Sequence, residues 1–138
     1  MPTIYVCADA ERLPFRNDSI GQIYSNLAVQ WCEDLTVLLA DCRQVLCADG
    51  CLVLSTFGPR TLAELKAAWS QVDEFAHVNE FYSTDQIGRF LVAAGWRRFE
   101  LETELITQLY PSVLALMREL KGIGAHNVSN HRNPRPTS

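Results

Sequence analysis

Residues 51–57 read Cys51-Leu52-Val53-Leu54-Ser55-Thr56-Phe57, an almost unbroken apolar run directly after Asp49-Gly50. A strand with one wet face alternates between apolar and polar residues. A run without alternation suits a strand covered on both faces, which in a layered α/β protein is a central parallel strand. Working back from it, Asp34 is a good helix N-cap. Leu35, Leu38, Leu39, Cys42, Val45 and Leu46 then keep the three-four spacing of a one-faced helix, so a helix is predicted over 34–46. Residues 20–25 read as a short strand before that helix. Residues 3–8 read as another, closed by Asp9-Ala10-Glu11, and Pro14 and Asn17-Asp18 supply turn chemistry between the two.

Downstream of the central run, two capping boxes announce helices. Thr61-Leu62-Ala63-Glu64 opens one running toward Trp69. Ser83-Thr84-Asp85-Gln86 opens another, with Ile87, Phe90, Leu91 and Ala94 on one face and Gly95 as its stop. Residues 99–107 alternate strictly, Phe99, Leu101, Thr103 and Leu105 against Glu100, Glu102 and Glu104, as a strand near a sheet edge does. Pro111 starts a last helix whose inward face is predicted to be Val113, Leu116, Met117 and Leu120. Gly122 and Gly124 end it, and disorder is expected from Val128 onward. No internal repeat occurs.

Composition sets the class. A chain of 138 residues with 48% apolar and 20% charged residues is ordinary globular material for one domain. At this size folding buries roughly two thirds of the unfolded surface, enough for a sizeable core. No apolar run approaches the ~20 residues of a membrane span, and the first residues form no signal peptide. The chain therefore reads as cytoplasmic, with no membrane partner. Its net charge of −4 is unevenly spread: residues 1–110 carry −7 and residues 111–138 carry +3. An acidic body offers phosphates no broad basic face, which speaks against nucleic acid, whereas the basic end suits an acidic partner or is simply a solvated tail. Cys7, Cys32, Cys42, Cys47 and Cys51 are odd in number and unevenly spaced. With no CxxC pair and no histidine nearby in sequence, they read as reduced small hydrophobes, and no metal is assigned.

Strand–helix alternation around a buried middle strand means an α/β layered domain with a parallel sheet, and such sheets bind ligands at the carboxyl ends of their strands. The segments there are Asp9-Ala10-Glu11, residues 26–31 and residues 55–58. Asp9, with the Ala10 backbone beside it, can read an adenine edge through the exocyclic amine, although Asp after a strand is commonly a turn former. Around Asn26, Leu27 and Ala28 stand an amide-bearing Gln30 and a large aromatic, Trp31. Those are either ligand-facing groups or a core tryptophan with loop-capping amides.

Together these segments carry a resemblance. Residues 7–15, 25–31 and 45–56 resemble, respectively, the third-strand exit, the fourth-strand exit and the turn into the fifth strand of class I S-adenosylmethionine-dependent methyltransferases. Residues 57–65, His77-Val78-Asn79 with Phe81, and especially residues 118–127 are similar to the malonyl-carrier-protein O-methyltransferases of biotin synthesis. The resemblance implies an α/β fold, a partial Rossmann-like class I methyltransferase sheet with flanking helices. It lacks the N-terminal cofactor-loop half and the final closing strand, so the chain looks like a truncated product. The implied organisation is the C-terminal half of the domain over 1–110, a helical cap segment over 111–127 and a disordered tail over 128–138. Cys47-Ala48-Asp49-Gly50 replaces the family's basic-Pro-Gly-Gly turn.

What the resemblance implies chemically is methyl transfer from S-adenosylmethionine to the free carboxylate of a malonyl thioester on acyl carrier protein. The carrier's recognition helix is acidic. No catalytic base is assigned, because a carboxylate is already ionised at neutral pH. Asp9, Ala10, Asn26, Leu27 and Ala28 are the cofactor-binding candidates. Gln30, Trp31, Arg118, Lys121, His126 and Asn127 are the candidates for the malonyl group or the carrier. The alternatives are a methyltransferase for another small carboxylic acid, or a non-catalytic folded fragment, inactive alone, that forms homo-oligomers through open sheet edges.

Overall fold

The computed structural model describes residues 3–72 and 78–122. Its elements are β1 (Ile20–Asn26), α1 (Leu35–Val45), β2 (Leu46–Ser55), α2 (Ala63–Trp69), α3 (Thr84–Ala93) and α4 (Val113–Gly122), with a 3-10 turn over Val29–Trp31. The strand–helix–strand reading of residues 20–55 holds. β1 and β2 pair in parallel, from Gln22 opposite Cys51 to Asn26 opposite Ser55, and α1 makes the crossover.

Local chemistry explains α1. The Asp34 carboxylate accepts from the Thr36 and Val37 amides, so the first orphan donors of the helix are satisfied. At the other end the Asp18 amide donates to Gln44 O at 3.1 Å and the Ser19 amide to Val45 O at 2.9 Å. The turn at Asn17-Asp18 therefore caps α1, and Asp18 takes a positive φ of 55° to do so. The chain passes straight from α1 into β2. Ile20 lies opposite Leu46 and Gln22 opposite Cys51, so residues 47–50 bulge out against the single residue Gly21. Gly50 is tightly held there: a Cβ would meet Leu46 Cδ2 at 2.9 Å and the carbonyl oxygens of Cys47 and Gly21 at 3.0 and 3.1 Å.

The chain divides into two compact units, residues 1–58 with 81–101, and residues 59–80 with 102–138. In the first, Val29, Leu35, Leu38, Leu39, Cys42, Ile87 and Leu91 form the core, with Ile23, Leu52, Leu54 and Trp96 packed partly against it. Leu39, at 1% exposure, is its most buried member. Helix α3 packs on α1. It opens with the capping box read from the sequence: Ser83 accepts from the Gln86 amide, and the Gln86 side chain accepts from the Ser83 amide. Gly95, at φ 85°, ends it.

Several expectations fail, each for a physical reason. β2 is covered on one face only: Leu52 and Leu54 turn toward the core, while Val53 is 51% exposed and Tyr24, its register partner on β1, is 69% exposed. Residues 3–8 make no ladder, and neither do residues 99–107. A strand exists only by pairing, and among the described residues the sheet has two strands, β1 and β2. The Thr61 capping box does not form. Leu62 takes φ 56° and itself becomes the N-cap of α2, one residue late, with no side-chain oxygen to offer.

In the second unit, α2 buries Leu65. The predicted inward face of α4 is not inward: no residue of this helix is buried, and Val113 and Met117 are exposed. Its apolar stripe follows helical spacing, but periodicity alone does not provide a surface to cover it. The expected tail disorder, Gly124 as a helix stop, and the His77 motif position lie outside the described residues.

Candidate functional site

Because β1 and β2 are parallel, their carboxyl ends share one side of the sheet, and the loops leaving those ends carry the candidate residues. After β1 comes Leu27 in the left-handed region at φ 50°. A non-glycine residue there carries a cost of roughly 1–2 kcal/mol, so the surroundings must hold it. The end of β2 does so. The Leu27 amide donates to Ser55 O at 3.1 Å and to Ser55 Oγ at 3.2 Å. The Ser55 hydroxyl in turn donates to Asn26 Oδ1 at 2.6 Å. From the next turn, Gln30 Nε2 donates to the Leu27 carbonyl, and Gln30 Oε1 accepts from Thr56 Oγ1 at 3.4 Å.

The segment Asp9-Ala10-Glu11 is tied to the residues just before α1. Asp9 Oδ1 accepts from the Glu11 amide at 2.9 Å, and the Asp9 carbonyl accepts from the Arg12 amide at 3.2 Å, a tight polar turn. Glu11 then reaches across to take the Asp34 amide at 2.6 Å and the Glu33 amide at 3.3 Å. Asp41 Oδ2 accepts from the Leu13 amide at 2.7 Å and pins the residues after Arg12 to α1. The electrostatics agree with this placement. Burial, with the Glu11 and Asp9 charges beside it, pushes the Cys32 thiol up from its usual value.

Seven of the candidate residues thus lie in one unit: Asp9 and Ala10 follow residues 3–8, Asn26 ends β1, and Leu27, Ala28, Gln30 and Trp31 follow it. Trp31 is 43% exposed, so it is not a core tryptophan, whereas Val29 beside it is buried and anchors the turn. Arg118 and Lys121 are exposed on α4, in the other unit. His126 and Asn127 lie outside the described residues. Sequence reasoning marked residues 55–58 as a strand end but assigned them no role, and it read Glu11 only as part of a turn. Ser55, Thr56 and Glu11 hold the loops together. The only signal for them was hydroxyl and carboxylate side chains at strand ends.

The donor set fits the adenine and methyl ends of S-adenosylmethionine. Asp9 keeps one carboxylate oxygen without a partner among the described residues, able to accept from an exocyclic amine. The half-exposed side chains of Leu27 and Trp31 offer apolar surface for a ring or a thioether. Among the described residues no three His, Cys, Asp or Glu side chains gather as a metal site. No described helix is long and apolar enough to cross a membrane.

Comparison with known proteins finds methyltransferases. Residues 2–54 match a family model described as a methyltransferase domain. Over 127 residues, 92% of this chain, the sequence is 45% identical to the malonyl-[acyl-carrier protein] O-methyltransferase of Methylococcus capsulatus, covering 46% of that protein. It is 42% identical over 94% of the chain to the enzyme of the same name from Nitrosospira multiformis, covering 42% of it. The biotin biosynthesis bifunctional protein BioHC of Teredinibacter turnerae is 44% identical over 90% of the chain, which covers 22% of that longer protein. The chain thus spans less than half the length of the curated relatives it matches. It carries part of a methyltransferase domain, with a small parallel sheet and flanking helices.

Proposed function

We propose that this chain, homologous over nine-tenths of its length to malonyl-[acyl-carrier protein] O-methyltransferases, supplies the adenine-side and acceptor-side parts of such an enzyme's site. The observation that carries the reading is the placement of Asn26, Leu27, Gln30 and Trp31 at the carboxyl end of β1, beside the end of the parallel β2, on a chain of that homology. S-adenosylmethionine, when bound, supplies an activated methyl group on a sulfonium. The acceptor in this reading is the malonyl carboxylate, already ionised, which would take that methyl group on one oxygen with Gln30 and Trp31 on its side of the site. No proton moves, so no base is needed.

The chain's own residues therefore bind, orient and exclude water, which in well-aligned reactions contributes roughly 7–11 kcal/mol. Asp9 and the Ala10 backbone read the adenine edge. The turn over Asn26, Leu27 and Ala28 borders the reacting centre, and Gln30 and Trp31 form its acceptor side. Arg118 and Lys121, with His126 and Asn127, meet the malonyl group or the acyl carrier protein through their positive or polar ends. Esterification removes the acceptor's charge, which suits entry into chain elongation and, in turn, biotin synthesis.

The test is a hybrid in which this chain replaces the matching region of the Methylococcus capsulatus enzyme. Transfer of labelled methyl from S-adenosylmethionine to malonyl-acyl carrier protein is expected, with Asp9→Ala raising the cofactor KM about tenfold. A folded hybrid that binds S-adenosylhomocysteine yet leaves malonyl-acyl carrier protein unmethylated overturns the substrate assignment. Methylation of other small carboxylic acids by that hybrid would favour the broader reading. The candidate residues named here cover the adenine and methyl sides of the cofactor, and residues 1–138 by themselves are expected to bind it more weakly than about 1 mM, roughly −4 kcal/mol.

A further inference from the structure

We infer that Ser55 is a positioning residue: its side-chain oxygen holds the Asn26–Leu27 turn in the left-handed form that presents the methyl-side residues of the site. The inference rests on the proposed function for its catalytic consequence, but its geometry stands alone. Leu27 is one of three non-glycine residues with positive φ among those described, and it is the one at the strand end where the candidate residues converge. Its backbone gains nothing from its own side chain, since leucine has no polar atom to bond locally, unlike Asn or Asp in this region. The hold must come from elsewhere, and it comes from the last residue of β2.

Ser55 acts through three bonds at once. Its carbonyl and its Oγ both accept the Leu27 amide, at 3.1 and 3.2 Å, and its hydroxyl hydrogen goes to Asn26 Oδ1 at 2.6 Å. The Asn26 side chain is thereby fixed with its Nδ2 amide left as a donor, which has no partner among the described residues. The other side of the turn is closed by Gln30 on the Leu27 carbonyl, steadied by Thr56. Both hydrogen-bonding groups of the Leu27 backbone are thus taken by residues tied to the end of β2. A ligand at this turn meets an already formed backbone, so the ordering cost of binding is met by the fold. Removing Oγ alone leaves the carbonyl bond, so the ladder survives while Asn26 and the turn loosen.

The experiment uses the full chain, labelled for NMR, with Ser55→Ala, Ser55→Thr and the double variant Ser55→Ala/Leu27→Gly. In Ser55→Ala the Leu27 amide should exchange with solvent about tenfold faster, with its Cα and Cβ shifts moving away from left-handed values. The Ile23 amide, which by the alternation of a parallel ladder faces β2 as the Leu27 amide does, should keep its rate. Ser55→Thr retains the oxygen and should restore Leu27. Leu27→Gly removes the steric cost and should restore the Asn26 shifts in the Ala background. Unchanged Leu27 exchange in Ser55→Ala overturns the inference, and so does equal acceleration at Ile23, which would mean general loosening. Should Ser55→Ala fail to fold, Ser55→Thr against Ser55→Gly in the folded hybrid provides the comparison. There the glycine variant should lower kcat about tenfold with cofactor KM nearly constant, and equal kcat in the two refutes the role. Shifts of Asn26, Leu27 and Ala28 on adding several mM S-adenosylhomocysteine report separately on the functional reading. Their absence with normal Ser55 effects sinks that reading and leaves the positioning intact.

Discussion

Trp96 Nε1 donates to the carbonyl of Leu39 at 3.0 Å, joining the exit of α3 to the middle of α1 across 57 residues of sequence. Leu39 is the most buried side chain of the core, so one contact fixes the polar and apolar sides of the same helix pair. Trp96→Phe keeps most of the ring and loses the bond, and is expected to cost about 1 kcal/mol. Leu39→Ala opens a cavity and is expected to cost about 2–5 kcal/mol. Urea denaturation monitored by circular dichroism separates the two, and a larger loss in Trp96→Phe than in Leu39→Ala would contradict the assignment of core and bond.

The Ser83–Gln86 box is a second, independent set of local bonds. Ser83→Ala should cost about 1 kcal/mol, and Gln86→Ala less, since only the Ser83 amide loses its acceptor. Their effects should be less than additive in a double-mutant cycle, because each residue orients the other. Strict additivity would show that the two bonds form independently.

What was legible in the sequence was local. Asp34 and Ser83 declare their helices because their side chains meet amides two or three residues away. Non-local features were not legible. Residues 3–8 and 99–107 have strand-like patterns, but a ladder needs a partner that no local pattern can guarantee. Thr61 had the right spelling for a cap, yet a left-handed Leu62 displaced the helix start by one residue. The site divided in the same way. Asn26 to Trp31 were marked by unusual composition at a strand end, whereas Ser55 and Glu11 matter through bonds spanning 29 and 23 residues.

The thiols provide a pH test. Burial, then the neighbouring Asp41 and Cys32, push the Cys42 thiol up to about 11 from 9.0. A raised folded-state value means the stability contribution is complete below pH 9 and is lost as pH rises toward 11. The urea midpoint should therefore fall over that interval, and less steeply in Cys42→Val. Cys7 and Cys51 are exposed. Under native conditions a thiol reagent should modify both long before Cys42, and early modification of Cys42 would mean that α1 opens readily.

Both outer edges of the two-stranded sheet carry unpaired backbone groups among the described residues, and Tyr24 and Val53 lie uncovered on one face. Open edges recruit strands from other chains. The isolated chain is expected to form dimers or larger assemblies at about 100 μM by light scattering. Val53→Lys should reduce them, since a charged side chain on the open face disfavours stacking. A clean monomer at that concentration excludes association through the sheet.

Arg118 and Lys121 lie three residues apart on α4, on the same side of the helix by its geometry, and both are exposed. They belong to the net-positive stretch of the chain, residues 111–138, while the body is acidic. An acidic carrier protein is drawn to such a pair during encounter, and exposed charges act mainly on association rates. In the hybrid enzyme, Arg118→Glu with Lys121→Glu should raise the KM for malonyl-acyl carrier protein several-fold at low salt. The cofactor KM should stay unchanged, because the Asp9 and Asn26 loops belong to the other unit. Salt must erase the difference: screening beyond a Debye length of about 8 Å at 0.15 M, and less at higher salt, weakens attraction in the parent and repulsion in the variant alike. A double variant that methylates the carrier at parental efficiency in low salt removes the docking role. The two residues then revert to an ordinary solvated helix face, with the malonyl group left to Gln30 and Trp31.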